Sequence, residues 1–274
     1  MTVKTVQELM DAVKGDEPSI IWVEGTLDGY IDKVRVGSNK SILGKNSKSK
    51  IIGAGLFIKE AKNVIVQNLA ISKVSEGEGD AIGVQKSENI WIDHCDLSSD
   101  LENGKDYYDG LADFSHGVDY VTVSNTFFHD HYKASLVGQS DSNGDEDSGK
   151  LHITYANNHW KNINSRMPLL RFGTAHIINS YYDGDSHGDS AINSRMGAQT
   201  LVESNVFVGI KDALTSRFSK EDGYAVEDDN DFGDSENSAP KGKLTSVPYE
   251  YELLGSENVE KAVVGVAGNT LTLA

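Results

Sequence analysis

A chain of 274 residues and 29.8 kDa can bury a substantial core, as one large β domain or two smaller ones. Lys plus Arg number 25 against 42 Asp plus Glu, and a net charge of −17 argues against a general nucleic-acid or anionic-membrane binder while leaving bound divalent cations plausible. The single cysteine, Cys95, excludes an intrachain disulfide and a Cys-based zinc site, and no apolar run is long enough to span a bilayer. Met1 leads into polar Thr2-Val3-Lys4 rather than into a signal peptide, so a secreted product is expected here in processed form.

In chain order, Thr5-Val6-Gln7-Glu8 fits a capping box and Leu9, Met10, Ala12 and Val13 form an apolar stripe, which predicts a short helix stopped at Gly15. Short β-prone runs follow at 20–23, 25–27, 33–36, 41–44 and 50–53, each closed by Gly, Asn or Ser. From residue 63 the runs resemble one another: Asn63 to Ile71, Asn89 to Leu97, Tyr120 to Phe128, then Ile153 to Trp160, His176 to Tyr182 and Leu201 to Phe207. Aligning Asn68, His94, Asn125, Asn158, Asn179 and Asn205 gives separations of 26, 31, 33, 21 and 26 residues, the shortest about one turn of a three-strand coil. Stacked amides along that column, with Phe127, Trp160, Tyr181 and Phe207 filling the interior, predict an all-β, single-domain parallel β-helix. An antiparallel sandwich would show two-residue hairpin turns, which these runs lack. Residues 219–247, with Glu227-Asp228-Asp229-Asn230-Asp231, read as a solvated loop, and 259–264 as a short helix. Helices at both ends would cap the open ends of the solenoid.

Between Glu78 and Gly173 the acids Glu78, Asp80, Asp109 and Asp113 precede the bases Lys133, Arg166 and Arg171. On a coil, that order predicts a metal site and a cationic site side by side on one wall. Trp91-Ile92-Asp93-His94 with Ser98, Asp109-Gly110-Leu111-Ala112-Asp113 leading into 120–124, and Arg166-Met167-Pro168-Leu169-Leu170-Arg171 together resemble the pectate lyase family, the first family of polysaccharide lyases. Gly25-Thr26 and Thr215-Ser216-Arg217-Phe218 look like family positions too, so the likeness spans nearly the whole chain.

The resemblance implies a right-handed parallel β-helix over 1–274 with short capping helices. It further implies a secreted, calcium-dependent enzyme that cleaves de-esterified polygalacturonate by β-elimination, leaving 4,5-unsaturated oligogalacturonates. Asp80, Asp109 and Asp113 fall where the family places calcium ligands, and Glu78 where a further carboxylate often sits. An irregular oxygen cage suits calcium. The family often has Asp at the position of Glu78 and Glu at that of Asp109. Lys133 matches the lysine that pairs with the substrate carboxylate, Arg166 the proposed base, and Arg171 the neighbouring arginine whose fork can grip a carboxylate in two parallel bonds. A free arginine is protonated below about 12.5, so this base needs an alkaline medium or cationic neighbours that disfavour its charge. Calcium and the cationic side chains would stabilise charge building on the carboxylate in the transition state.

The blander expectations are that Asp93 and His94 are structural and that His129, Asp130 and His131 are solvated or supporting residues, while Asp183, Asp185 and Asp189 could bind another calcium or equally serve a turn and stay unassigned. The rivals are a pectin lyase acting on methylated pectin without calcium, a hydrolase working with paired carboxylates, and a non-catalytic polysaccharide-binding β-helix. The partner expected is pectin or polygalacturonate, with no nucleic acid or membrane, and the protein is expected to be a monomer.

Overall fold

Strands this short cannot each bury a face, so they must share one. In the computed structural model, which describes residues 1–30 and 33–274, each turn of the chain lays one strand on each of three sheets. One turn is Leu56–Lys59, Lys62–Gln67 and Ala70–Ser72, and the next is Ile82–Gln85, Glu88–Asp93 and Asp96–Ser98. We call the corresponding sheets I, II and III; among the described residues they hold nine, ten and eight strands. The strands pair in parallel, as Gly83 with Asp113, Ile90 with Val121 and Leu97 with Phe128 illustrate. The antiparallel sandwich is therefore excluded, and the fold is the expected right-handed parallel β-helix. Because side chains alternate, Val64, Ile90, Val121, Ile153 and Ala175 point inward on successive rungs of sheet II, and the apolar interior runs continuously from Val3 to Ala225.

Two columns stand one residue from where the sequence places them. At the turn from sheet II to sheet III the left-handed position holds Asn68, His94, Asn125, Asn157, Asn179 and Ser204, with φ between 47° and 59°. Asn158 and Asn205 come one step later, inside the coil. Asn158 accepts from the Thr126 N–H and donates to the Val123 carbonyl, both at 2.9 Å, and Asn205 does the same with Ser180 and Ile177. Asn230 adds a further rung below Asn205. Both adjacent positions favour asparagine, one for its tolerance of left-handed backbone and the other for its amide, so the letter alone does not separate them.

The interior aromatic column is Phe128, Trp160, Tyr182, Phe207 and Phe232, stacked at 4.0–5.8 Å between neighbours. Phe127 and Tyr181, expected inside, belong to the opposite parity: they face outward, on either side of His159.

Residues 219–247 are not all loop. Tyr224–Asp228 continues sheet II and Glu236–Asn237 ends sheet I, with Ala225 buried while Glu227 and Asp228 face solvent. The helix Val6–Ala12 starts as expected, Thr5 Oγ1 accepting from the Glu8 N–H at 3.2 Å, and packs against the first strands. The second predicted helix, Ser256–Val263, lies along the flank of sheet III instead of across an open end. Its Val259 and Val263 cover the outward Tyr181 and Val206, an apolar patch the coil cannot bury alone.

Candidate active site

The acids converge at the edge of sheet I. Asp113 projects outward from the strand Ala112–Ser115, and Asp80 stands just before the neighbouring strand Ile82–Gln85. Asp109 precedes the glycine between them, and all three line one cavity of about 270 Å³ together with Arg166. Gly110 makes this approach possible: a Cβ there would meet Asp113 Oδ1 at 2.4 Å. Backbone amides orient the carboxylates, Gly110 N–H donating to Asp80 Oδ1 and Leu136 N–H to Asp113 Oδ1, each at 2.9 Å.

Packed among protein atoms, Asp80 and Asp113 resist ionisation. Burial and then the charge of Asp109 push the Asp80 carboxyl up to about 6. Burial and then Asp80 hold Asp113 well above the carboxylate range, against the pull of Arg166. Glu78, in the short turn Glu76–Glu78, lies outside the cavity wall, and its Oε2 is buried without a hydrogen-bond partner. Among the described residues no three His, Cys, Asp or Glu side chains already form a closed metal cage. The donor set nevertheless suits a hard cation: oxygen only and crowded, with one orphaned carboxylate oxygen, on Glu78, two residues before Asp80.

The bases stand on two walls, Lys133 on sheet III, Arg171 on sheet I and Arg166 on the turn between them. Lys133 ends the strand Phe127–Lys133 and is in register with Ser165, the residue before Arg166. Arg166 leaves the strand in left-handed conformation, φ 62°, and its carbonyl accepts from the Ser135 N–H at 2.8 Å. Lys133 Nζ pairs with exposed Asp106 at 2.9 Å. Arg171, in the strand Leu169–Arg171, donates from Nε to Asp141 at 2.6 Å and from Nη1 to the Gly138 carbonyl at 2.9 Å.

Sequence reading missed Arg195, the partner of Arg171 on the next rung, which also reaches Asp141, at 3.6 Å, and keeps its Nε buried without a partner. Burial and then Arg171 lower its affinity for its proton. Counting rungs forward from Arg171 would have found it, since Ser190–Arg195 is the next strand of sheet I. Lys33 and Phe57 were missed as well; they line the same cavity as the acids.

The other candidates lie elsewhere. Asp93 and His94 belong to the turn between sheets II and III, as structural residues should. His129 bridges Asp96 and Asp130 on the flank of sheet III. His131 is not solvated: only 2% exposed, it meets Ser99 Oγ at 2.5 Å, and burial pushes its pKa down to about 4, so it is neutral behind the Lys133 wall. Asp183 pairs with Lys161. Asp189 and Asp212 share Arg217. A larger cleft, about 470 Å³, lies between sheet II and residues 244–249, but no carboxylate lines it among the described residues.

Comparison with known proteins gives the family. A family model described as pectate lyase matches residues 1–270. Pectate lyase A of Aspergillus niger is 61% identical over 261 residues, covering 95% of this chain and 79% of that protein. Pectate lyase A of Emericella nidulans is 58% identical over 270 residues, covering 98% and 81%. Among solved structures, the pectate lyase of Bacillus sp. N165 in complex with trigalacturonate superposes with a TM-score of 0.87 at 31% identity, covering 97% of this chain and 92% of that one. The chain belongs to the pectate lyase family of polysaccharide lyases.

Proposed function

We propose that the protein is a calcium-dependent pectate lyase that cleaves de-esterified polygalacturonate by β-elimination, releasing 4,5-unsaturated oligogalacturonates. The observation that carries this reading is the cavity shared by Asp80, Asp109, Asp113 and Arg166, with Lys133 in register with the residue before Arg166 and Arg171 bonded to Gly138, the neighbour of the cavity residue Gln139. Asp80, Asp109 and Asp113 would hold calcium, with Glu78 supplying a further oxygen from its buried, unpartnered carboxylate. When bound, the ion neutralises the uronate carboxylate and so makes the proton on the neighbouring carbon easier to remove.

The side chains do the rest. Lys133 and Arg171 grip the uronate carboxylate; among the described residues two of the five Arg171 donors are taken, by Asp141 and the Gly138 carbonyl, which leaves part of the fork for a ligand. Asp106 and Asp141 hold the two cations in place, so little freedom is lost on binding. Arg166, as the base, takes the C5 proton. The electron pair forms the C4–C5 double bond, the C4–O bond breaks, and water protonates the leaving oxygen. The chain would work as one secreted domain, a reading supported by the unbroken interior from Val3 to Ala225.

The test is the ultraviolet absorbance of the unsaturated product on polygalacturonate and on methylated pectin, with calcium and then with chelator. A signal on the acid polymer that chelator abolishes is expected. Activity on methylated pectin that survives chelator would select a pectin lyase, and new reducing ends without absorbance a hydrolase.

A further inference from the structure

The groove does not end at the acids. On the outer face of sheet I, Arg35, Phe57, Gly83 and Asp113 are consecutive register partners, so they form one row across four strands. Neighbouring strands lie about 4.7–4.9 Å apart, which puts the Arg35 backbone roughly 14 Å from that of Asp113. Gly83 has no side chain to interrupt the row. Phe57 and Lys33 line the same cavity as Asp80 and Arg166, so the depression is continuous from the acids toward this end.

Two cations are fastened there. Lys33 Nζ lies 5.2 Å and the Arg35 guanidinium carbon 5.5 Å from the centre of the Phe57 ring, within cation–π range. Lys33 also crosses over Gly79, the residue before Asp80. A Cβ at Gly79 would meet Lys33 Cε at 2.7 Å and Nζ at 3.0 Å, and its φ of +90° again asks for glycine. At the opposite end of the acids, Arg171 and Arg195 occupy adjacent rungs. The floor therefore runs cationic, acidic, cationic along the coil axis, on a protein whose net charge of −17 repels polyanions elsewhere.

We propose that Lys33 and Arg35, seated on Phe57, form a subsite for the carboxylate of a further galacturonate unit, on the side of the acid cluster remote from Arg171 and Arg195. The proposal rests on the lyase reading above and deepens it. A 1,4-linked chain of acidic rings laid along the row meets positive charge beyond each end of the acid cluster, so the polymer is held across the reacting unit by both ends. Phe57 is a positioning residue, keeping the two flexible side chains on the floor. The consequence is a preference for longer chains and a set choice of which bond is cut.

The experiment compares the natural chain with the double variant Lys33→Ala/Arg35→Ala on tri- to octagalacturonate, following unsaturated product by absorbance and product lengths by chromatography. The expected result is a loss in kcat/KM that grows with chain length, reaching about ten-fold on the longest oligomers. It should fall mainly on KM and be accompanied by a shift in the bond cleaved. Phe57→Ala should show a smaller version of the same pattern, and Arg35→Lys should recover part of the loss. An equal fold-loss at every length, or none at any, overturns the subsite. So does a loss that saturating calcium restores in full at every chain length, which would mean that the cations act only through Asp80. Absence of product from the natural chain on every oligomer would bring down the lyase reading itself, a result separable from all of these.

Discussion

Asp80 and Asp93 belong to the same turn of the coil and meet opposite environments. Asp93 is 3% exposed, and burial alone would raise its pKa. Donors from His94 at 2.7 Å, Asn125 at 2.9 Å, Gln67 at 2.8 Å and Ser124 at 2.6 Å outweigh that and bring it to about 2. Asp80 has one backbone donor and two acids for neighbours, and its carboxyl stands at about 6. One carboxylate is provided for by the fold; the other is left for something the fold does not contain. On the function proposed above, that difference separates a structural acid from a functional one where burial does not.

The largest expected effects lie on the underprovided side. Arg166→Lys should lower kcat on polygalacturonate by about 10²–10³ with calcium binding intact, because a lysine cannot reproduce the placement of the fork. Asp80→Asn should abolish calcium-dependent turnover yet leave the calcium-free protein as stable or more so, since it removes a crowded charge. Calorimetric calcium titration and urea unfolding check the pair, and a destabilised Asp80→Asn would erase the contrast.

Asp93→Ala should do the reverse, costing about 3–5 kcal/mol in urea unfolding while the molecules that remain folded keep their specific activity. It strands the donors of Gln67, Ser124 and Asn125 and the ring of His94 in one step.

pH sharpens the comparison further. The folded Asp80 carboxyl lies above its ordinary value of 3.8, so the folded state holds its proton more tightly and the calcium-free protein loses stability as pH rises from about 4 to about 6. The size is on the order of 2–3 kcal/mol. Asp93 has the opposite sign: its contribution is present above about pH 4 and lost as pH falls toward 2. Urea midpoints measured across pH should show both limbs, and saturating calcium should flatten the upper one, because the ion binds the ionised acids.

The smallest effect is on the ladder. Asn205→Ala should cost about 1–3 kcal/mol by leaving the Ser180 N–H and the Ile177 carbonyl without their amide partner. A loss no larger than that of an exposed asparagine would show that the column is not holding the rungs.

The repeating β-branched runs, the acids before the bases and the Arg166-Met167-Pro168-Leu169-Leu170-Arg171 segment were enough to predict the coil and to draw Asp80, Asp109, Asp113, Lys133, Arg166 and Arg171 into one candidate site. Those signals are local or periodic, and a coil translates chain order directly into rung order. The sequence left undecided whatever depends on parity and on turn length. Phe127 or Phe128 inside, Asn157 or Asn158 on the ladder, and Ser256–Val263 on the flank of sheet III were settled by which way successive side chains point once the turns have closed. The same holds for Arg195, Lys33 and Phe57, which join the groove through register between rungs and carry no mark of it in their own neighbourhood of the chain. The period of the runs determined that this chain coils, and the order of acids and bases together with the likeness to the pectate lyases pointed to the chemistry to look for. Only packing decided which face each residue shows, because a slip of one residue reverses every side chain at no cost to the pattern.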